Sequence, residues 1–139
     1  MIDTRFREKK ARVRSEMENQ IQNLSDILVQ FREERSWKQF HTPKNLAISI
    51  SVEAAELLEH FQWKKEDDDV TTESRAEIAK ELADIFIYLL LLSNDLGIDL
   101  LETAFRKVEE NRRKYPVGLA KGSARKYTQL RGRKKHART

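Results

Sequence analysis

The sequence predicts an all-α protein, and three observations carry that prediction. Its 139 residues contain four Gly and two Pro, with no Gly before Gly97, whereas a β fold needs turn residues roughly every 8–12 positions. Apolar residues recur at spacings of three and four along successive stretches, which is the period of one helix face. Capping residues or Pro bound most of those stretches. The same scarcity of glycine excludes the clustered-glycine loops of Walker-type and Rossmann-type nucleotide sites.

Four helices follow in order, giving a four-helix-bundle-like architecture. In the first, Val13, Met17, Ile21, Leu24, Leu28 and Phe31 form one stripe. Its first dozen residues are highly charged and are expected to fray or project, and its end is expected near Ser36. The second starts at Thr42-Pro43, with Thr as N-cap and Pro at the first helical position. It is expected to reach about Gln62, with Leu46, Ile50, Leu57 and Phe61 as its stripe and Ala47, Ala54 and Ala55 keeping it slim. Lys64 to Val70 is a polar connector, its acidic run Glu66 to Asp69 a solvated one. Thr71, Thr72 or Ser74 caps the third helix, which runs to Leu96 before Gly97 supplies the left-handed C-cap position. Ile78, Leu82, Ile85 and Leu89 form its stripe. From Ile85 to Leu92 the eight residues are apolar all round, which predicts burial on every side and contacts between subunits. Asp99 caps the fourth helix, with Glu102 three residues on as a capping-box variant, and Pro116 stops it near Tyr115. This divides the chain into a charged N-terminal extension (1–16), a helical domain (17–116) and a basic C-terminal tail (117–139).

Composition narrows the function. There is no Cys, so disulfides, zinc–thiolate sites and thiol nucleophiles are excluded. The longest apolar run is too short to span a bilayer, and Met1 to Arg5 shows no signal-peptide core. A cytoplasmic protein without membrane partners is expected. The formal charge of +4 hides an asymmetry, because residues 117–139 hold eight Lys and Arg and no acid, while residues 1–116 hold 19 bases against 23 acids. Only the tail could bind nucleic acid by charge.

The carboxylates carry most information. Glu53 and Glu56 are three apart on the second helix, as are Glu81 and Asp84 on the third, so each pair shares a face. At about 100° per residue, Glu53, Glu56 and His60 fall within a sector of about 60°, directly beside Ile50 and Leu57. Glu81, Asp84 and Tyr88 share a similar sector beside Ile78 and Ile85, and Glu77 could extend it. Either pair alone reads as a solvated face. On antiparallel neighbours whose apolar stripes meet, the two pairs also meet, and like charges that close raise one another's pKa. A hard divalent cation removes the cost, and oxygen-only ligands favour Mg²⁺, with Mn²⁺ as a substitute, over Zn²⁺.

Aromatic and basic residues surround that pattern. Trp37, Phe40 and His41 lie in the polar connector Phe31 to His41, and Trp63 lies just past the second helix. Such rings either plug the end of a bundle or stack on a nucleobase. His41 could hydrogen-bond a base or ribose, or simply neighbour a cap. Asn111-Arg112-Arg113-Lys114 places bases at a helix C-terminus, where cations are ordinarily favoured. Asn111 and Lys114 could also reach a polyphosphate, with Lys121 and Arg125 as further candidates.

Taken in order, Trp37-Lys38-Gln39-Phe40-His41, Pro43-Lys44-Asn45-Leu46, Glu53-Ala54-Ala55-Glu56-Leu57, Phe61-Gln62-Trp63-Lys64, Glu81-Leu82-Ala83-Asp84 and Asn111-Arg112-Arg113-Lys114-Tyr115-Pro116 resemble the MazG-like, all-α nucleoside triphosphate pyrophosphohydrolases, over about residues 20 to 130. The dCTP pyrophosphatase branch is the most similar. The resemblance implies cleavage between the α- and β-phosphates of a (deoxy)nucleoside triphosphate, giving the monophosphate and pyrophosphate, as in housecleaning of nucleotide pools. It implies a need for Mg²⁺, and homo-oligomers, dimers or tetramers, with sites at subunit interfaces. By the motifs, Glu53, Glu56, Glu81 and Asp84 would hold metal, with Glu53 or Glu56 orienting the attacking water. Trp37, His41, Trp63 and Tyr88 would form the base and sugar pocket, with Lys38, Gln39 and Phe40 along its wall, and Asn111, Lys114 and Lys121 would meet the triphosphate. Leu28 departs from that branch, which tends to carry a pocket His there, and the connector after Trp63 is acidic and short. The competing reading is a non-enzymatic helical module that binds nucleic acid through its basic tail.

Overall fold

The computed structural model describes residues 4–65 and 69–130. The described residues form helices α1 (Thr4–Glu34), α2 (Pro43–Glu59), α3 (Thr72–Asp95), α4 (Leu100–Lys114) and α5 (Val117–Ala120), with one 3-10 turn, Trp37–Gln39, between α1 and α2. No strand occurs among them. The all-α expectation therefore holds. Residues 131–139 of the basic tail, and Glu66 to Asp68 of the acidic connector, lie outside the described residues.

The chain divides into two compact units, 1–99 and 100–139. In the first, α2 packs along α3, and α1 packs on α3 and on the 3-10 turn. Leu46 is fully enclosed, and Leu90 and Leu91 of α3 are buried. Burying a leucine stabilises the fold by about 1.5–3 kcal/mol. The second unit comprises α4, α5 and the segment to Leu130, whose side chain is buried.

Local chemistry sets the helix ends. Thr42 and Thr71 adopt extended backbone, and their hydroxyls accept hydrogen bonds from the N–H groups of Asn45 and Ser74, each at 3.2 Å. Pro43 occupies the first turn of α2. α1 stops at Glu34, two residues before the expected end, because Ser36 takes the left-handed conformation (φ 54°) and its N–H donates back to the Glu33 carbonyl at 2.9 Å. α2 ends at Glu59, three residues before Gln62, in a turn where Phe61 N–H donates to Leu58 O. Gly97 adopts φ 63° beyond α3, as its position after the last apolar residue predicts.

One expectation fails within the single chain. The stretch Ile85 to Leu92 is not buried on every side. Leu90 and Leu91 are, but Phe86 is 39% exposed, and Leu82 one turn earlier is 52% exposed. The helices of unit 1 cover one side of α3 and leave another bare.

Candidate metal centre and aromatic platform

The seam between α2 and α3 gathers acids. One carboxylate oxygen from each of Glu53, Glu81 and Asp84 lies within 4.8 Å of the other two. Glu53 and Glu81 are half-buried and Asp84 is exposed. His60 Nε2, at the C-terminal cap of α2, stands 3.9 Å from Glu81 Oε1. Glu53 opposite Glu81 and Asp84, with His60 opposite Glu81 and near Glu77, is the register of an antiparallel pair. Glu56 lies one turn from Glu53 and is exposed. Its charge is felt at Glu53, but it does not join the three-carboxylate cluster.

These carboxylates are weakly compensated, by the Lys80 charge near Glu81 and by His60 beside it. No Lys or Arg forms a salt bridge with Glu53, Glu81 or Asp84 among the described residues. Burial raises the Glu53 carboxyl above its ordinary 4.5, and the charges of Glu56, Asp84 and Glu81, with a hydrogen bond shared with Glu81, push the same way. Such a site favours a proton or a cation. The donor set is oxygen-only and suits a hard divalent ion, so the residues present fit the metal that the acid pattern implies.

A second construction lies where the connector after α1 meets α3. Phe31, Trp37, His41 and Tyr88 form a ladder of edge-to-face rings, with centroids 5.8, 6.1 and 6.4 Å apart in turn. The Arg35 guanidinium lies 3.6 Å above the Phe31 ring. The connector is internally tied: Gln39 Nε2 donates to Ser36 O at 3.0 Å and Asn45 Nδ2 donates to Phe40 O at 2.8 Å. His41 Nδ1 is buried and finds no hydrogen-bond partner. Burial lowers the His41 pKa, the Arg32 and Lys38 charges lower it further, and Asp95 opposes them, so the ring is neutral at physiological pH.

Beneath the ladder lies an ion cluster that periodicity did not reveal. Arg32 Nη1 and Nη2 donate to the two oxygens of Asp95 at 2.9 and 3.0 Å, and Lys38 Nζ contacts Asp95 Oδ1 at 2.6 Å. The Arg32 and Asp95 side chains are 3% and 5% exposed. Burial alone would raise the Asp95 carboxyl, but the hydrogen bonds from Arg32 and Lys38, with their charges, hold it below its ordinary range. One signal could have exposed Asp95, since an acid at a helix C-terminus opposes the helix dipole and calls for a cation. His60 was legible on the acidic face of α2 but carried no role there.

The remaining expected residues are divided between the two units. Phe40 and Trp63 are strongly exposed, Trp63 at 88%. Lys38 turns to Asp95, and Gln39 to the backbone of its own turn. Asn111, Lys114 and Lys121 belong to the second unit. There Lys114 pairs with Glu110 and sits 5.6 Å over the Tyr127 ring, while Asn111 and Lys121 are exposed. The hydrogen bond from Lys114, then that from Lys107, holds the Glu110 carboxyl down at about 2.

The chain is similar to several known proteins. Residues 48–130 match the model of the MazG-like family. The chain is 40% identical over 114 residues to dCTP pyrophosphatase 1 of Bos taurus, covering 79% of this chain and 68% of that protein. The Homo sapiens protein of the same name is 38% identical over 114 residues, with 79% and 67% covered. A pyrophosphatase from Archaeoglobus fulgidus, solved by crystallography, superposes with a TM-score of 0.66 at 48% identity, covering 70% of this chain and 93% of the other. With the family model spanning more than half of the sequence and the carboxylates converging on the α2–α3 seam, the chain belongs to the MazG-like family.

Proposed function

We propose that this protein is a divalent-metal-dependent nucleoside triphosphate pyrophosphohydrolase that converts a dCTP-like nucleotide to its monophosphate and pyrophosphate. The observation that carries this reading is the convergence of Glu53, Glu81 and Asp84, whose carboxylate oxygens lie within 4.8 Å of one another. The names of the relatives, dCTP pyrophosphatase 1, support the choice of nucleotide. A cytoplasmic location goes with it.

Glu53, Glu81 and Asp84 would hold the cation, with Glu56 completing the set from the next turn of α2. Mg²⁺ held there, or Mn²⁺ in its place, would supply positive charge to the phosphate oxygens and to the leaving pyrophosphate. Glu53 or Glu56, which share one face of α2, would accept the hydrogen bond of the attacking water and orient it towards phosphorus. Phosphoryl transfer of this kind needs little covalent help from the protein, and positioning carries most of it. The Trp37, His41 and Tyr88 rings offer edges and faces to a base, and the neutral His41 brings a buried, unpartnered nitrogen. Trp63 is a candidate stacking partner and Phe40 a candidate wall residue. Asn111, Lys114 and Lys121 are candidates for the triphosphate. We assign a homo-oligomeric partner as well, a second copy of this chain, supported by the bare apolar side of α2 and α3.

The test is a panel of ribo- and deoxynucleoside triphosphates incubated with Mg²⁺ or Mn²⁺ and read by pyrophosphate release. dCTP or a near relative is expected to be turned over, and chelation to abolish it. Glu53→Gln and Asp84→Asn should each lower kcat by about a hundredfold or more, in line with loss of charge stabilisation in the transition state, with circular dichroism unchanged. Normal turnover in both variants would overturn the assignment.

A further inference from the structure

We infer that Asp95, through its ion pairs with Arg32 and Lys38, is a positioning residue that fixes the Trp37–His41 segment as a platform for the nucleotide base. The inference rests on the proposed function for the identity of the ligand, and on the geometry for the rest.

Among the described residues, Asp95 pairs with both Arg32 and Lys38, the two supports of the platform. Arg32 follows Phe31, the first ring of the ladder, on α1. Lys38 follows Trp37, the second ring, in the 3-10 turn. The Asp95 carboxylate receives both cations and thereby sets the distance between the end of α1 and the turn. Tyr88 stands seven residues before Asp95 on α3, and residues seven apart in a helix share a face. The same face of α3 therefore meets the segment twice, at Lys38 through Asp95 and at His41 through Tyr88.

The connector itself needs such a hold. Ser36 adopts φ 54°, ψ 31°, a left-handed conformation that is unfavourable for an L-residue because of its Cβ. A strained residue persists only where its surroundings over-determine it. The turn is short, its rings are partly exposed, and Trp37 is 42% open to solvent, so apolar burial alone does not lock it. A buried ion pair, moreover, is a poor source of stability compared with apolar side chains of the same volume. The bidentate Arg32–Asp95 pair with Lys38 added has directional geometry, and that suits a role in orientation.

The experiment compares wild type, Asp95→Asn and Lys38→Met, full length and loaded with Mg²⁺. A positioning role predicts a split, with KM for dCTP rising about tenfold in Asp95→Asn while kcat stays within about threefold, the pattern of lost ground-state binding. A merely structural role predicts a lower folded fraction with KM unchanged. Lys38→Met removes only the half-exposed partner and keeps the test alive should Asp95→Asn fail to fold. It is expected to raise KM about threefold. Because Lys38 could also touch substrate, a second readout excludes nucleotide altogether. In a Trp63→Phe background Trp37 is the sole tryptophan, and its acrylamide quenching should rise about twofold in both variants as the turn loosens. Unchanged quenching in folded variants, or a fall in kcat with KM constant, overturns the inference. Absence of dCTP turnover in the wild type would sink the proposed function alone, and the Trp37 measurement would still decide the role of Asp95.

Discussion

Glu53 is a carboxylate that resists ionisation because burial disfavours its charge and the neighbouring carboxylates repel it. The sign of the resulting pH effect follows from its raised pKa. A raised group contributes stability that is fully present below its unfolded value, here 4.5, and is lost as pH rises through the higher folded value. At neutral pH the metal-free protein therefore carries an unrelieved repulsion at the α2–α3 seam. Glu53→Gln removes one member of that repulsion while keeping the side-chain volume. Chemical denaturation in EDTA at pH 7 is expected to find the variant more stable than wild type, with the difference shrinking towards pH 4. Adding Mg²⁺ should reverse the order, since a ligand that binds only the folded state stabilises by mass action and the variant has lost a ligating charge. A variant that is less stable than wild type without metal would show that Glu53 is held by contacts rather than strained by its neighbours.

The helices were legible in the sequence, and the ion cluster between them was not, for physical reasons. Thr42-Pro43 marks the start of α2 through local chemistry, and the cluster Thr71, Thr72 and Ser74 marks that of α3; the structure places the Thr42 and Thr71 hydroxyls on the N–H groups of Asn45 and Ser74. Gly97 announced the end of α3 in the same way. The acids of Glu53, Glu81 and Asp84 were legible because each pair kept helical spacing, and pairing two helices then brought them together. Asp95 with Arg32 is separated by 63 residues and follows no period, so only the fold could join them. Ser36 ends α1 earlier than the sequence predicts, because a left-handed serine leaves little trace in composition. The capping argument makes its own prediction. Thr71→Ala should destabilise unit 1 by about 1 kcal/mol, and Thr71→Ser should restore most of it, measured by urea denaturation followed by helical circular dichroism. Equal stability of the three proteins would mean that tertiary packing alone sets the start of α3.

At the scale of the whole molecule, the single chain leaves too much apolar surface bare. Leu46, Leu90, Leu91 and Leu130 are its buried apolar side chains among the described residues, while Ile48 (52%), Leu58 and Leu82 remain more than half exposed. On α2, Lys44, Ala47, Ile48, Ser51, Val52 and Ala55 line an open groove of about 490 Å³, and Ile48, Val52 and Ala55 follow helical spacing along it. A contiguous apolar face of this kind marks an interface, and small alanines let another helix approach closely. A second copy of the chain is the occupant proposed for it. Val52→Glu places a charge in the centre of that groove without touching Glu53, Glu81 or Asp84. Wild type should sediment as a dimer or tetramer at micromolar concentration, with a Tm that climbs as protein concentration is raised, because association and folding are then linked. Val52→Glu should sediment as a smaller species and lose that concentration dependence, with a Tm several degrees lower, since roughly 1 kcal/mol shifts a domain of this size by about 2–4 °C or more. A wild-type monomer whose Tm ignores concentration would leave the bare face of α2 without its proposed partner.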